Sequence, residues 1–254
     1  MENTHYHASH PKHPLELKSH HEPAYKCDGC KETGFGKRYR CDLCDFDLHK
    51  DCMFLTNKTS HAFFKGSTFE FFEQPPRHNK RCNNCKRYCD ACGKQIKGFV
   101  YHCQKNDLDL HPCCSNLKEV LKIDGKEFRL SERVDSSCFW CGKVKVQGSF
   151  SGARGWSYVS MCNEYHLHVH CATEMVSEVW KNKDKLGNDN NNNNNGCLDL
   201  ENLKLPKDLA KLRKDGARGN KYWRIIKAIL RTIACILMGE PTITMTCLVV
   251  ELLT

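Results

Sequence analysis

Along most of this chain the alternation of apolar and polar positions is short-ranged; it becomes helical only toward the C-terminus. The segments HAFFKGSTFEFF (61–72) and KEFRLSERV (126–134) alternate apolar with polar residues, the period-two pattern of half-buried strands. After Cys171 the run ATEMVSEVWKN has helical spacing. KYWRIIKAILRTIACILM (221–238) sets Ile225, Ile226, Ile229, Leu230, Ile233 and Leu237 on one helical face, with Arg224, Lys227 and Arg231 largely opposite. Pro241 ends that helix. GNDNNNNNNG (187–196) is a polar tract that cannot bury enough surface to fold and reads as a linker. The closing run TITMTCLVVELLT falls short of the ~20 residues of a spanning helix, and Lys227 and Arg231 interrupt the segment before it, so no transmembrane span is predicted.

Composition changes the picture. With 19 cysteines and 14 histidines in 254 residues and only 40% hydrophobic residues, one large apolar core is excluded. Several small modules are expected instead, each needing a covalent or coordinate staple. The N-terminal MENTHYHASHPKHPLELKSHHEP has no apolar signal region, which favours an intracellular, cytoplasmic or nuclear, reducing setting over secretion. The cysteine total is odd, and many cysteines occur as C-x2-C followed by H-x2-C, a spacing that serves metal rather than disulfides. The expected cofactor is zinc. The formal charge of +9 counts thiols as neutral, and each site of three thiolates and one imidazole around a divalent ion removes about one unit.

The same pattern occurs three times, in residues 27–52, 89–114 and 138–171: a C-x2-C, a loop with Gly and an aromatic residue, then a cluster ending in H-x2-C. In the first, C-x2-C-x10-C-x2-C-x4-H-x2-C supplies six candidate ligands: Cys27, Cys30, Cys41, Cys44, His49 and Cys52. C-x2-C on a tight turn aims two thiolates at one ion about 2.3 Å away, H-x2-C adds two more ligands, and four close a tetrahedron. A closed tetrahedron is structural, leaves no position for substrate, and makes binding free energy into folding free energy.

HPLEL (13–17), CDGC, GFGKRYRCDLCDFDLHKDC, GFVYHC, DLDLHPCC and WSYVSMC with HVHC resemble the plant divergent C-one family of tandem cysteine/histidine-rich modules. The resemblance covers roughly residues 10–175, and less specifically the basic Ile-rich tail. It implies small β-rich zinc modules with short helices, at 10–61, 62–117 and 118–176, then the linker (187–196) and an amphipathic helical tail (197–254). It also implies interleaved ligands, as in diacylglycerol-binding domains. Cys27, Cys30, His49 and Cys52 would form one site; Cys41 and Cys44 would join His13 and a downstream ligand for which His61 is the best candidate, with His10 able to replace His13. The second module keeps Cys89, Cys92, His111 and Cys114, but Asn106 stands where a later cysteine is needed after Cys103; His102, Cys113 or Cys82 and Cys85 with His78 are the candidates to compensate. The third keeps Cys138, Cys141, His168 and Cys171, with Cys162 alone and His166 and His170 beside it as partial candidates. His5, His7, His20 and His21 have no spacing partner and are expected at the surface. About three to five ions are expected in all.

The resemblance implies a non-enzymatic scaffold for intracellular protein interaction, in signalling or in stress and defence responses. Diacylglycerol recognition is disfavoured because KETGFGKRYR lacks the Gln-Gly pair and apolar tip of lipid-binding members. Cys82 and Cys85 would complete the ligand order of a histone-reading plant homeodomain finger, but the Trp expected before that pair is replaced by His78, Asn79, Lys80 and Arg81. Redox chemistry would need free thiolates, and no βαβ pattern surrounds any C-x2-C. Basic residues near Tyr39 and Tyr88 suit nucleic acid less well than they suit a solvated surface. For the tail helix, a partner groove or self-association is favoured over an anionic membrane surface or docking on its own modules.

Overall fold

The computed structural model describes residues 4–18, 24–77, 86–123, 125–146, 155–185 and 216–237, with side chains to residue 178 in the first long helix and for 223–233 in the second. The Asn tract, His78, Cys82, Cys85, His20, His21 and the closing apolar run lie outside the described residues.

Three four-stranded antiparallel sheets repeat one design. The first holds β1 (Thr4–His7), β2 (His10–Lys18), β5 (Arg38–Cys41) and β6 (Phe46–Leu48) in the order β1-β2-β5-β6, with β3 (Tyr25–Lys26) and β4 (Thr33–Gly34) as a separate ribbon. The second runs β7 (Lys58–Ser60), β8 (Thr68–Phe72), β9 (Val100–Cys103) and β10 (Leu108–Leu110). The third runs β11 (Val120–Ile123), β12 (Lys126–Ser131), β13 (Ser157–Ser160) and β14 (His166–His168). Each ends in a helical turn: α1 (Lys50–Met53), a 3-10 turn (Cys113–Asn116), and α2 (Val169–Lys185).

Register makes the repeats superimposable by residue. Tyr39 faces Leu48, Tyr101 faces Leu110 and Tyr158 faces Leu167 across the last strand pair of each sheet. Each of these hairpins turns through a left-handed residue, Asp45 (φ 52), Asp107 (φ 51) or Asn163 (φ 57), the side chains that tolerate this region best after glycine. The strand expected over 61–72 is confined to Thr68–Phe72, because Gly66 (φ 76) turns the chain and Phe63 and Phe64 pack on Trp156 instead of continuing the ladder.

Two cores form. One gathers Leu15, Tyr25, Tyr39, Leu48 and Met53 of the first module with Phe99 of the second. The larger joins the second and third modules to α3 (Gly216–Leu237), whose Trp223, Ile225, Ile226, Ile229, Leu230 and Ile233 are buried against α2, the 3-10 turn and β11. The apolar face that the sequence assigns first to a partner is thus occupied by the chain's own modules. At roughly 1.5–3 kcal/mol per fully buried large aliphatic side chain, that seam is a major part of this core. Among the described residues, no helix is long and apolar enough to cross a membrane.

Candidate metal centres

Each C-x2-C occupies the same knuckle. The N–H of Cys27, Cys89 and Cys138 donates to the carbonyl of Glu32, Lys94 and Lys143, each at 2.9 Å. The residue after the second cysteine returns a bond to the first cysteine's carbonyl: Lys31 at 2.9 Å, Gly93 and Gly142 at 2.8 Å. All three are left-handed (φ 66, 70 and 67), a conformation free to glycine and costing Lys31 about 1–2 kcal/mol. The carboxylates of Asp28 and Asp90 accept the N–H of Asp47 and Asp109 at 3.0 and 2.6 Å, tying each knuckle to the strand that leads to its histidine.

The H-x2-C residues lie three apart on one helical turn and so share a face; Cys52 N–H donates to His49 carbonyl at 3.0 Å, Cys114 to His111 at 2.9 Å. The result is three sets, Cys27/Cys30/His49/Cys52, Cys89/Cys92/His111/Cys114 and Cys138/Cys141/His168/Cys171, each with its four donor atoms within 4.8 Å of one another. In all three the histidine turns Nδ1 to sulfur: His49 to Cys30 at 3.3 Å, His111 to Cys92 and His168 to Cys141 at 3.4 Å. The opposite nitrogen of His168 donates to the Val144 carbonyl at 3.2 Å, and that of His111 faces the Glu32 carboxylate at 3.7 Å, the outer contacts that orient a ligating imidazole.

Shared protons leave one thiol in each set strongly acidic. The Cys114 and Cys89 thiols hold Cys92 well below the usual range, and Cys171 brings Cys138 down to about 3. Burial opposes ionisation of Cys27, but bonds from Cys30 and Cys52 outweigh it. Three sulfurs and one imidazole nitrogen at this spacing fit a tetrahedral ion with metal–sulfur bonds of about 2.3 Å.

A fourth set joins His10 and His13 of β2 to Cys41 and Cys44. His13 Nδ1 is 3.1 Å from Cys44 Sγ, and the His10 ring stacks on Phe46 at 4.5 Å. His10 Nε2 is buried without a hydrogen-bond partner, an orphaned ring nitrogen whose lone pair coordination would satisfy. His61, expected here, is elsewhere: its Nε2 is 2.6 Å from the Leu117 carbonyl and its ring packs on Trp156, in the second core. Two histidines on one strand therefore supply what the sequence reading divided between His13 and a downstream residue.

The family-model comparison matches residues 8–53 to the C1 domain. Residues 8–53 are a C1 domain. That is a cysteine/histidine-rich zinc-binding domain, and it carries the first and fourth sets. The chain is 48% identical over 46 residues to "Probable nucleoredoxin 1" of Arabidopsis thaliana, covering 18% of this chain and 8% of that protein. It is 45% identical over 42 residues to "Probable nucleoredoxin 3" of the same plant, 16% and 11% respectively. No solved structure matches.

The later modules replace the second set of the C1 domain with ordinary polar contacts. Pairing of Glu16 with Arg40, Glu70 with His102 and Arg129 with Val159 puts Ser67 and Lys126 at the place of His13. Asn106 then donates to Ser67 Oγ at 2.6 Å, and Lys126 reaches Cys162 at 3.7 Å. Cys103 is buried in β9 and belongs to no ligand set among the described residues. His102 is bound to Asp109 at 2.9 Å, His166 to the Ser136 carbonyl at 2.8 Å and His170 to the Cys92 carbonyl at 3.0 Å. His7, expected at the surface, is half-buried and stacks on Phe99 at 5.8 Å. Cys113 joins neither its own module's centre nor a second one there; its thiol lies against the first centre, a placement no spacing rule reveals.

Proposed function

We propose that the chain is a zinc-binding, non-catalytic tandem-module scaffold for intracellular protein–protein interaction. The observation that carries this reading is closure: each centre assembles four donors, mostly buried, around one point and leaves no face for a substrate. The cavity lined by Thr68, Glu70, Phe72 and His102 holds about 140 Å³, small beside the roughly 300–1,000 Å³ of small-molecule pockets. Apolar side chains are instead presented outward on hairpin tips, Leu43 at 81% and Met161 at 63% exposure, where a partner protein can cover them. Elemental analysis of the purified chain should find zinc, and chelation at neutral pH should abolish its native circular dichroism; native signal in metal-free protein contradicts the reading. The double variant Leu43→Ser/Met161→Ser should keep its zinc and lose the partners that the wild-type chain retains in affinity mass spectrometry.

The similarity to two probable nucleoredoxins supports a second reading, thiol–disulfide exchange. The cysteines of the C-x2-C and H-x2-C pairs lie in donor sets suited to an ion, and coordinated thiolates are poor exchange nucleophiles. Disulfide reduction by the zinc-loaded chain, measured with a dithiol reductant, should not exceed the reductant's own rate; a clear excess favours the redox reading.

A further inference from the structure

The four centres differ in how their donors meet solvent and in what else holds those donors in place. Every donor of the first and second sets is buried, and in the third only Cys141 is partly exposed. In the fourth Cys41 alone is buried: His10 and His13 are half-buried and Cys44 is exposed. The fourth set also offers two thiolates where the others offer three, so it has fewer of the soft, charge-neutralising ligands that suit zinc.

The strand that carries the two histidines is held at one end. β2 joins β5 through Glu16, Leu17 and Lys18, which pair with Arg40, Tyr39 and Arg38. His10 and His13 lie beyond that ladder, where β2 pairs with β1 in a register that shifts between His5 and His7. A two-stranded ribbon is marginal by itself in water. This one is tied to the rest of the protein by the approach of His13 Nδ1 to Cys44 Sγ at 3.1 Å and by ring contacts: His10 on Phe46 at 4.5 Å, His5 on Tyr39 and Phe54 at 5.7 and 5.2 Å, and His7 on Phe99 at 5.8 Å. Phe99 belongs to the second module, so the ribbon crosses the seam between two modules. The Tyr39 and Phe99 rings beneath it are only 6% and 4% exposed.

We propose that the fourth centre holds an exchangeable ion that latches the β1–β2 ribbon across the first and second modules, so that metal supply sets whether the Tyr39 and Phe99 rings are covered. This rests on the zinc reading above. In the first three centres the ion is what a module folds around, and its binding free energy is folding free energy. In the fourth it fastens a ribbon, because the β2–β5 rungs, buried Leu15 and the first centre hold the module without it. A chelating ligand in solution meets Cys44 first. The ion passes to that ligand, Cys41 and Cys44 take up protons from water, and no electrons move.

Zinc-loaded full-length chain, challenged with a pyridylazoresorcinol dye that counts ions as they leave, tests this when backbone amide exchange is followed by mass spectrometry alongside. One ion should leave about tenfold faster than the rest. At that stage the amides of residues 5–13 should exchange about tenfold faster, while those of Arg38–Arg40 and Phe99 stay protected. Adding zinc back should restore the protection. His10→Ala/His13→Ala should bind one ion fewer, lack the fast phase and show the freed ribbon even in excess zinc. Ions that leave together, a first ion whose loss leaves residues 5–13 protected, or one whose loss also exposes the Phe99 amide each overturn the proposal. So does a fast phase that survives in the variant. Because the variant can misfold, the wild-type measurements decide without it. A wild-type chain that binds no metal sinks the zinc reading instead.

Discussion

His61 is held as a neutral imidazole: its Nε2 donates to the Leu117 carbonyl at 2.6 Å while its Nδ1 accepts the Phe63 N–H at 3.1 Å. Protonating Nδ1 would break the second bond, and burial also lowers its pKa from 6.5. The unfolded chain then takes up a proton more readily than the folded one. The stability contributed is whole above pH 6.5 and falls as pH drops below it. His61→Ala should cost about 1–3 kcal/mol by orphaning the Leu117 carbonyl and opening space beside Trp156. In thermal unfolding, the gap between wild type and variant should narrow from pH 7.5 to pH 5.5; a gap independent of pH refutes this. A histidine that starts HAFF gives no local sign of whether it faces an ion or a carbonyl, because that depends on a partner 56 positions away.

At the scale of elements, the knuckle is both a ligand turn and a docking edge. Its outward carbonyl, Gly29 in the first module and Ala91 in the second, accepts the N–H of the aromatic residue after a glycine in the next module, Phe99 or Trp156. Gly98→Ala would drive its Cβ to 2.1 Å from the Gly29 oxygen, and backbone cannot yield as a flexible side chain does. We expect this variant to lose about 1–3 kcal/mol in denaturant titration and its Phe99 amide to exchange with solvent at least tenfold faster, with the second and third centres still loaded. Unchanged exchange at Phe99 rejects the docking edge. The glycine–aromatic pair was legible as a repeated motif, but its role was not, since a period along the chain does not say which neighbour a repeat touches.

For the whole molecule, two cores predict two responses to damage. All 4 tryptophans of the chain follow residue 135, and Trp156 and Trp223 are buried in the larger core. The first module has its own small core and no tryptophan. Cys30→Ser removes a donor of the first centre, so it should unfold that module. The tryptophan fluorescence midpoint in denaturant should stay within about 0.5 kcal/mol of wild type. A large fall in that midpoint would show that the two cores fold as one.

The cysteine and histidine spacings by themselves determined the C-x2-C and H-x2-C donor pairs, because two residues three apart on a turn are brought together by local geometry alone; which C-x2-C joins His49 and Cys52 in the first module came from the family resemblance. The period of the tail likewise determined which of its faces is apolar. Tertiary structure decided what lay between distant segments. The pairing of β2 with β5 brings His10 and His13 together over Cys41 and Cys44, α3 folds back on the second core, and the stacking of two modules sets Cys113 against a centre that its own sequence neighbours do not build. Such pairings follow from packing and strand register summed over many residues, and no short window of sequence contains them.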